Sequence, residues 1–314
     1  MANAPIPADT HPEQQYLSLM QQVWDEGSER SDRTGIGTRS ICGAMLRYDL
    51  ASGAMPLITT KRVYWKTATR ELLWFLTGET NIRPLVLQGV KIWNEWPHAR
   101  YVKETGDEIA LDEFVTRIAE DEDFAKRWGD LGPVYGKQWT NWPTYRYRKD
   151  GLYEKGEGIN QVAEVVESLR TNPGSRRHII EGWNVAELDR MALPPCHKTY
   201  QFHVAAGRLN CLLYQRSCDV ALGLPFNLWS AALLTRMMAQ QTGLEPGELV
   251  WMGGDVHLYL NHRHLIEEQL SREPRGRPSL EIIRTRASIF EYEIGDFAVR
   301  DYDPLPPIKA PVAV

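Results

Sequence analysis

The chain has 314 residues, 43% hydrophobic and 25% charged, with 11 tryptophans, 13 tyrosines and a net charge of −5, a globular and aromatic-rich composition rather than a disordered or fibrous one. No long basic run is present, so no footprint for duplex nucleic acid is apparent and any anion must be held by a few placed arginines. The longest apolar run near a helix, "FNLWSAALL", stops at Thr235 and Arg236, well short of the ~20 residues a membrane span needs.

The opening stretch "MANAPIPADTHPEQQ" has neither a basic start nor an apolar core. Residues 1–15 are therefore expected to be a disordered tail rather than a secretory signal, and the protein cytoplasmic. Tyr16 to Glu26 reads as a helix, "TRSICGAMLRYDL" as a strand and "KRVYWKTATRELLWFLTG" as a helix closed by Gly78. The acidic stretch from Glu104 to Asp130, with Leu111, Phe114, Ile118 and Phe124 near helical spacing, reads as part of a peripheral helical insertion over about 97–129 with a solvated face. "GINQVAEVVESLRTNPGS" is an amphipathic helix with an Asn-Pro-Gly stop, followed by the strand "RRHIIEGWNV". Then come a strand at Cys196, a hairpin return, a helix from Pro225 to Thr242 closed by Gly243, and the strand segment "ELVWMGGDVHLYLNH". No repeat or linker divides the chain, so residues 16–314 read as one domain. Strands and helices mix without strict alternation, which predicts an α+β fold with a mixed sheet flanked by helices.

Four cysteines, Cys42, Cys196, Cys211 and Cys218, show neither zinc-type pairing nor the density of a disulfide framework. Cys196 differs from the others in its setting, "LPPCHKTYQF". Strand alternation puts Tyr200, Phe202 and Val204 on the parity of Cys196, and His197 on the opposite one. The adjacent pair therefore cannot form the dyad of a cysteine protease. Two hairpin registers are open. A three-residue Ala205-Ala206-Gly207 loop pairs Val204 with Arg208 and sets Cys196 opposite Arg216; the glycine position favours it. A two-residue Ala206-Gly207 turn sets Cys196 against Ser217 and His197 against Arg216. In the first register a guanidinium stabilises the thiolate and can hold an anion beside it, whereas a buried cysteine without such a partner is inert.

Other groups can serve the same anion. "SDRTGIGT" carries Arg33 in a glycine-containing loop, and "PGSRRHII" places Arg176 and Arg177 where a helix gives way to a strand; with Arg216 they could make a four-arginine phosphate cradle. Glu71 falls on an apolar helical stripe with Tyr64, Ala68 and Phe75, where burial favours a protonated carboxyl suited to proton transfer, unless a neighbouring lysine or arginine pairs with it. Asn227, just behind Pro225, offers one donor and one acceptor, the complement of a uracil edge, or else bonds the helix end. His257 and Tyr259 share a strand face and could grip a sugar hydroxyl. His262 and His264, two apart, would not share a helix face, which argues against a metal site.

Taken together, "RTGIGT", "PLITTKR", "ELLWFLTGETNI", "KIWNEW", "GDLGPVYGKQW", "NPGSRRHII", "LPPCH", "YQRSCDVALGLPFN", "GGDVHLY" and "IKAPVAV" closely resemble the thymidylate synthase family from about Tyr16 to Val314. The resemblance implies reductive methylation of dUMP to dTMP by 5,10-methylenetetrahydrofolate, donor of both carbon and hydride, without a metal. It implies that Cys196 is the nucleophile at pyrimidine C6 and that Arg33, Arg216 and Ser217 bind the phosphate. Arg176 and Arg177 would reach over from a second subunit, making a homodimer obligatory, with the sheet at its interface. Asn227 would read the uracil, and His257 and Tyr259 the deoxyribose. Glu71 and Tyr135 would transfer protons, with His197 in the surrounding hydrogen bonds. Asp219 would hold the pterin, and Lys61, Trp93, Trp96, Phe226 and Val314 would line or close the folate side against water.

Asn94 stands where the family usually has Asp, Trp229 where a smaller residue is common, and Tyr64-Trp65 where less aromatic residues flank the folate entrance; these bear on folate contact. Within the family, a dUMP hydroxymethylase would share the thiol and the donor but let water trap the intermediate. Trp93 as an aromatic shield favours hydride transfer, and Asn227 argues against cytosine. A nucleotide-binding or RNA-binding protein without turnover is a further alternative, although no catalytic group is missing and no basic patch is added.

Overall fold

The structure, a computed structural model, describes residues 10–31 and 35–311; Arg33 and Val314 lie outside the described residues. In chain order the helices are α1 (Gln14–Glu26), α2 (Trp65–Thr77), α3 (Arg83–Leu87), α4 (Glu95–Thr105), α5 (Leu111–Glu120), α6 (Glu122–Trp128), α7 (Tyr135–Thr140), α8 (Gln161–Thr171), α9 (Gly223–Thr242) and α10 (Arg263–Leu270). The strands are β1 (Ser28–Arg30), β2 (Thr38–Asp49), β3 (Tyr145–Tyr147), β4 (Tyr153–Lys155), β5 (Ile179–Glu181), β6 (His197–Ala205), β7 (Arg208–Asp219), β8 (Glu245–Tyr259), β9 (Ser279–Ile282) and β10 (Phe297–Arg300). The fold is α+β, and its contacts group into two compact units.

The first unit comprises residues up to Thr69, Leu169–His178 and the chain from Cys196 onward. Its sheet runs β1-β2-β8-β7-β6. The β7–β8 pair is parallel and the others are antiparallel, so the sheet is mixed. Leu209, Cys211, Leu213 and Gln215 alternate as the buried residues of β7, and α9 packs on this sheet. Fourteen residues of α9 are buried, including Leu228, Trp229, Leu233 and Met237, as a helix apolar nearly all round requires. It begins at Gly223, two residues ahead of the expected Pro225 start, and ends at Gly243 with a left-handed φ of 69°.

The N-terminal lead-in is ordered before residue 15: α1 starts at Gln14, and Glu13 is buried. Its carboxylate accepts from the N–H and hydroxyl of Thr59 (both 2.7 Å) and of Thr60 (2.9 and 2.5 Å). Four donors compensate the buried charge and tie the segment before Lys61 to α1.

The second unit comprises Arg70–Ser168 and Ile179–Pro195. Its core is aromatic. Phe75 stacks on Tyr135 at 4.6 Å between ring centroids and meets Trp139 edge-on at 5.6 Å. Within the acidic insertion Phe114 and Ile118 are fully buried, and Tyr101 packs against Phe114, Phe124 and Trp128. The Arg83 guanidinium donates to the carbonyls of Ile118 and Ala119 at 3.2 and 3.1 Å, satisfying the end of α5. The expected strand "RRHIIEGWNV" is only three residues long as β5, because the chain turns at once: Trp183 N–H donates to the Glu181 carboxylate and Asn184 N–H to the Gly182 carbonyl.

Candidate active site

The β6–β7 hairpin closes through Ala206 and Gly207, with φ of 49° and 73°, the two-residue turn whose twist matches its strands. The three-residue loop expected from the glycine position is therefore wrong: Ala205 pairs with Arg208, and the same register holds to Thr199 opposite Tyr214. Between His197 and Thr199 the register shifts; Lys198 is the extra residue of a bulge. His197 now pairs with Gln215, Arg216 N–H donates to the Cys196 carbonyl at 2.9 Å, and a guanidinium nitrogen lies 4.0 Å from the Cys196 sulfur. The expected Cys196–Arg216 juxtaposition is thus present, but a bulge produces it rather than the turn. The bulge also reverses the expected parity. His197, Tyr200 and Phe202 share the buried face, and Cys196 shares the opposite one with Thr199 and Gln201.

The other thiols have different settings. Burial pushes Cys211 up to about 12 against a hydrogen bond to Thr235. Cys218 is raised well above the ordinary thiol value by burial and the Asp219 charge. Cys42 is exposed, whereas Cys196 is half-buried with a cation at its sulfur, the arrangement that favours a thiolate.

Behind the thiol runs a series of amides. Gln215, buried, donates to the Asn227 Oδ1 at 2.8 Å and to the Ser217 carbonyl at 3.1 Å. Its own Oε1 accepts from the Trp251 indole at 2.9 Å. Burial lowers His197 to about 4, partly offset by a hydrogen bond to Asn227, so the imidazole is neutral at pH 7. The Asn227 side-chain oxygen thus faces a side-chain donor. Sequence reasoning missed Gln215; the available signal was an amide on the apolar parity of "LNCLLYQRS".

The C-terminal end of β7 gathers further groups. Asp219 is the ladder partner of His257 and Ser217 that of Asp255. The Asp219 Oδ1 accepts from Ala221 and Leu222 N–H at 2.8 and 3.2 Å, closing the turn into α9. Lys61 bonds the Ala221 carbonyl, and burial lowers it to about 8 against the opposing pull of Asp219. His257 is held by Asp255 at 3.1 Å, which Arg30 also binds at 3.0 Å. Tyr259 meets the His257 ring edge-on at 5.4 Å. Phe226 is half-buried in the first turn of α9, and Arg176 and Arg177 are exposed after α8.

In the second unit, Glu71 is buried and accepts from the Trp93 indole at 2.7 Å. Burial raises it from 4.5 to about 7, the indole bond acting in the other direction; its hydrogen bond comes from an indole and not from the lysine or arginine considered above. Such a carboxyl can exchange a proton near neutral pH. Tyr135 packs edge-on to Trp93 at 6.1 Å, and Trp96 lies 5.4 Å from Trp93. Tyr64, expected on the Glu71 stripe, precedes α2 and is 57% exposed.

Asn94 is buried, and its Oδ1 has no hydrogen-bond partner among the described residues. Trp229 is fully buried, its indole donating to Thr69 Oγ1 at 2.9 Å and its ring tilted against Trp65 at 5.5 Å. The two unusual tryptophans therefore accommodate each other, and Trp229 is a core residue. His262 and His264 bond the carbonyls of Pro311 and Lys309 at 2.7 and 2.8 Å. Among the described residues no group of three or more potential ligands is placed to hold a metal, and no helix is long and apolar enough to cross a membrane.

The thymidylate synthase family model matches residues 14–314. The chain is 69% identical to a thymidylate synthase of Novosphingobium aromaticivorans over 97% of both chains. It is 62% identical to that of Sphingopyxis alaskensis, over 97% of this chain and 98% of the relative. With that of Rhizorhabdus wittichii the identity is 60%, over 97% and 99%.

Proposed function

Because this chain belongs to the thymidylate synthase family, we propose that it methylates dUMP reductively to dTMP, with 5,10-methylenetetrahydrofolate as cosubstrate and dihydrofolate as by-product. The observation that carries the reading is the Cys196 sulfur 4.0 Å from the Arg216 guanidinium. Cys196 is the nucleophile: its thiolate adds to C6, the ring electrons move toward O4, and C5 becomes the carbon that attacks. The folate supplies the one-carbon unit and the hydride. C5 bonds the methylene carbon as one of its two bonds to folate nitrogen opens. Once C5 has lost its proton the second carbon–nitrogen bond breaks, hydride from the released tetrahydrofolate reduces the exocyclic carbon to methyl, leaving dihydrofolate, and the sulfur leaves C6.

Arg216 and Ser217, with Arg33, hold the phosphate. Asn227 reads the uracil edge, and His257 and Tyr259 the 3′-hydroxyl. Neutral His197 orders the hydrogen bonds around Asn227, while Glu71, tuned near neutrality, and Tyr135 move protons at the base. Lys61, Trp93, Trp96, Asp219, Phe226 and Val314 serve the folate side. The adjacent Trp93 and Trp96 rings suit a flat pterin, and the unpartnered Asn94 oxygen supports a polar contact beside them. Residues 16–314 are read as one catalytic domain.

The protein works in the cytoplasm as a homodimer, with Arg176 and Arg177 of each subunit completing the partner's phosphate site. Their exposure and the Leu212, Tyr214, Met252 and Met45 series, with Met45 36% exposed, support a sheet face covered by a second copy. Mixed dimers of Arg177→Ala and Cys196→Ser subunits are expected to regain part of the activity that each homodimer lacks; no rescue in verified heterodimers would overturn the shared site.

The deciding assay follows dihydrofolate absorbance from dUMP and the folate donor while identifying the nucleotide by mass. Equal dihydrofolate and dTMP are expected. Hydroxymethyl-dUMP without dihydrofolate would indicate that water traps the intermediate, and dUMP binding without turnover would leave a silent nucleotide-binding protein.

A further inference from the structure

We propose that Trp251 sets the base preference of the site by fixing the polarity of the amide series Trp251–Gln215–Asn227. The inference rests on the reading that Asn227 contacts the pyrimidine edge, and it assigns a positioning role to two residues behind it.

An isolated amide side chain can present oxygen or NH₂ in either direction. Here one end of the series removes the choice. The Trp251 indole is a donor only, fully buried, and 2.9 Å from the Gln215 side chain, so that atom must be the oxygen. The Gln215 NH₂ must then point the other way, where it meets Asn227 at 2.8 Å and the Ser217 carbonyl at 3.1 Å. The carbonyl accepts only, which requires NH₂ from the same direction. Asn227 accordingly turns its oxygen toward Gln215 and its NH₂ away. An amide oxygen has two lone pairs, so Oδ1 can still accept from a uracil N3–H while Nδ2 donates to O4. Cytosine offers the reverse pattern, an acceptor at N3 and a donor at C4, and meets like groups.

Packing holds the indole in place. Gly253 is the ladder partner of Gln215, and a Cβ there would lie 2.5 Å from Trp251 Cη2 and 2.8 Å from Cζ2. The ring therefore lies across a position that has no room for a side chain. At the far end, His197 hydrogen-bonds Asn227; a neutral imidazole has one donor and one acceptor nitrogen, so this contact is compatible with the Asn227 orientation that Gln215 sets.

Trp251→Phe keeps a ring and deletes the donor, leaving the Ser217 carbonyl as the remaining constraint on Gln215, so the reversed orientation of Gln215 and Asn227 costs less than in the wild-type protein. The test compares dUMP and dCMP affinities by titration calorimetry in the wild-type protein, Trp251→Phe, Gln215→Met and Asn227→Ala. The dUMP-to-dCMP affinity ratio is expected to fall about tenfold in Trp251→Phe and at least as far in Gln215→Met, which also serves if the tryptophan variant does not fold. A merely structural role would weaken both nucleotides together and leave the ratio within about twofold, which would overturn the proposal. If Asn227→Ala also leaves the ratio unchanged, the reading of Asn227 itself fails; if Asn227→Ala alone changes it, only the relay fails.

Discussion

The surroundings of Cys196 and of Glu71 are opposites. The thiol is half-buried beside a guanidinium, just ahead of β6, while Gln215 and Asp219 of the neighbouring β7 are engaged by named partners. The carboxyl is closed in by rings and receives one indole hydrogen bond. A nearby cation favours the charged form of an acid, whereas desolvation favours the neutral one. One chain thus prepares a group to be an anion and another to hold its proton near pH 7, by changing the environment rather than the side-chain chemistry.

The largest expected effect breaks the first environment. Cys196→Ser should lower turnover by roughly a thousandfold or more with dUMP affinity nearly unchanged, because the hydroxyl keeps the shape and loses the thiolate; steady-state rates and nucleotide titration read the two separately.

Glu71→Gln should lower kcat roughly a hundredfold while raising stability. The native carboxyl titrates near 7 and an unfolded one near 4.5, so the native state binds more protons between these values. Stability therefore falls as pH rises from 4.5 to 7, and above 7 the ionised group costs about 3 kcal/mol. Glutamine can still accept from Trp93 and removes that cost, so urea unfolding should favour the variant at pH 8 and show little difference at pH 4.5.

His197 gives the mirror case at lower pH. Its native value of about 4 lies below the ordinary 6.5, so the unfolded chain takes up a proton first as pH falls. Up to about 3 kcal/mol of stability is lost between pH 6.5 and 4. His197→Gln should flatten that part of the difference between unfolding curves at pH 5 and pH 8; an unchanged slope would show that this imidazole is not the group responsible.

The smallest effect concerns Trp229. If it is core and not folate surface, Trp229→Phe should cost about 1–2 kcal/mol in thermal or chemical unfolding and leave the folate KM unchanged.

Much of the fold was legible. The period of α2, the Asn-Pro-Gly stop after α8 and Gly243 after α9 are local features, and the elements formed close to their expected bounds. The hairpin was not, since a left-handed Ala206 suits a turn whose twist matches the strands, and a preference for glycine alone gave the other loop. Nor could periodicity reveal the bulge at Lys198, because an extra residue in a strand leaves no periodic trace. Trp229 and Trp65 looked like changes at the folate side because each was judged alone, whereas they pack on each other.

The amino-acid order by itself determined the α+β class and the family and singled out candidate site side chains, because these reside in residue type and short-range spacing. Only the tertiary structure decided which atoms of those side chains meet. The bulge turned Cys196 to the face of Arg216, burial set Glu71 near 7, and a tryptophan far along the chain fixed the orientation of Gln215. Register, desolvation and amide polarity all arise between residues distant in sequence, and so become physical quantities only once the chain has folded.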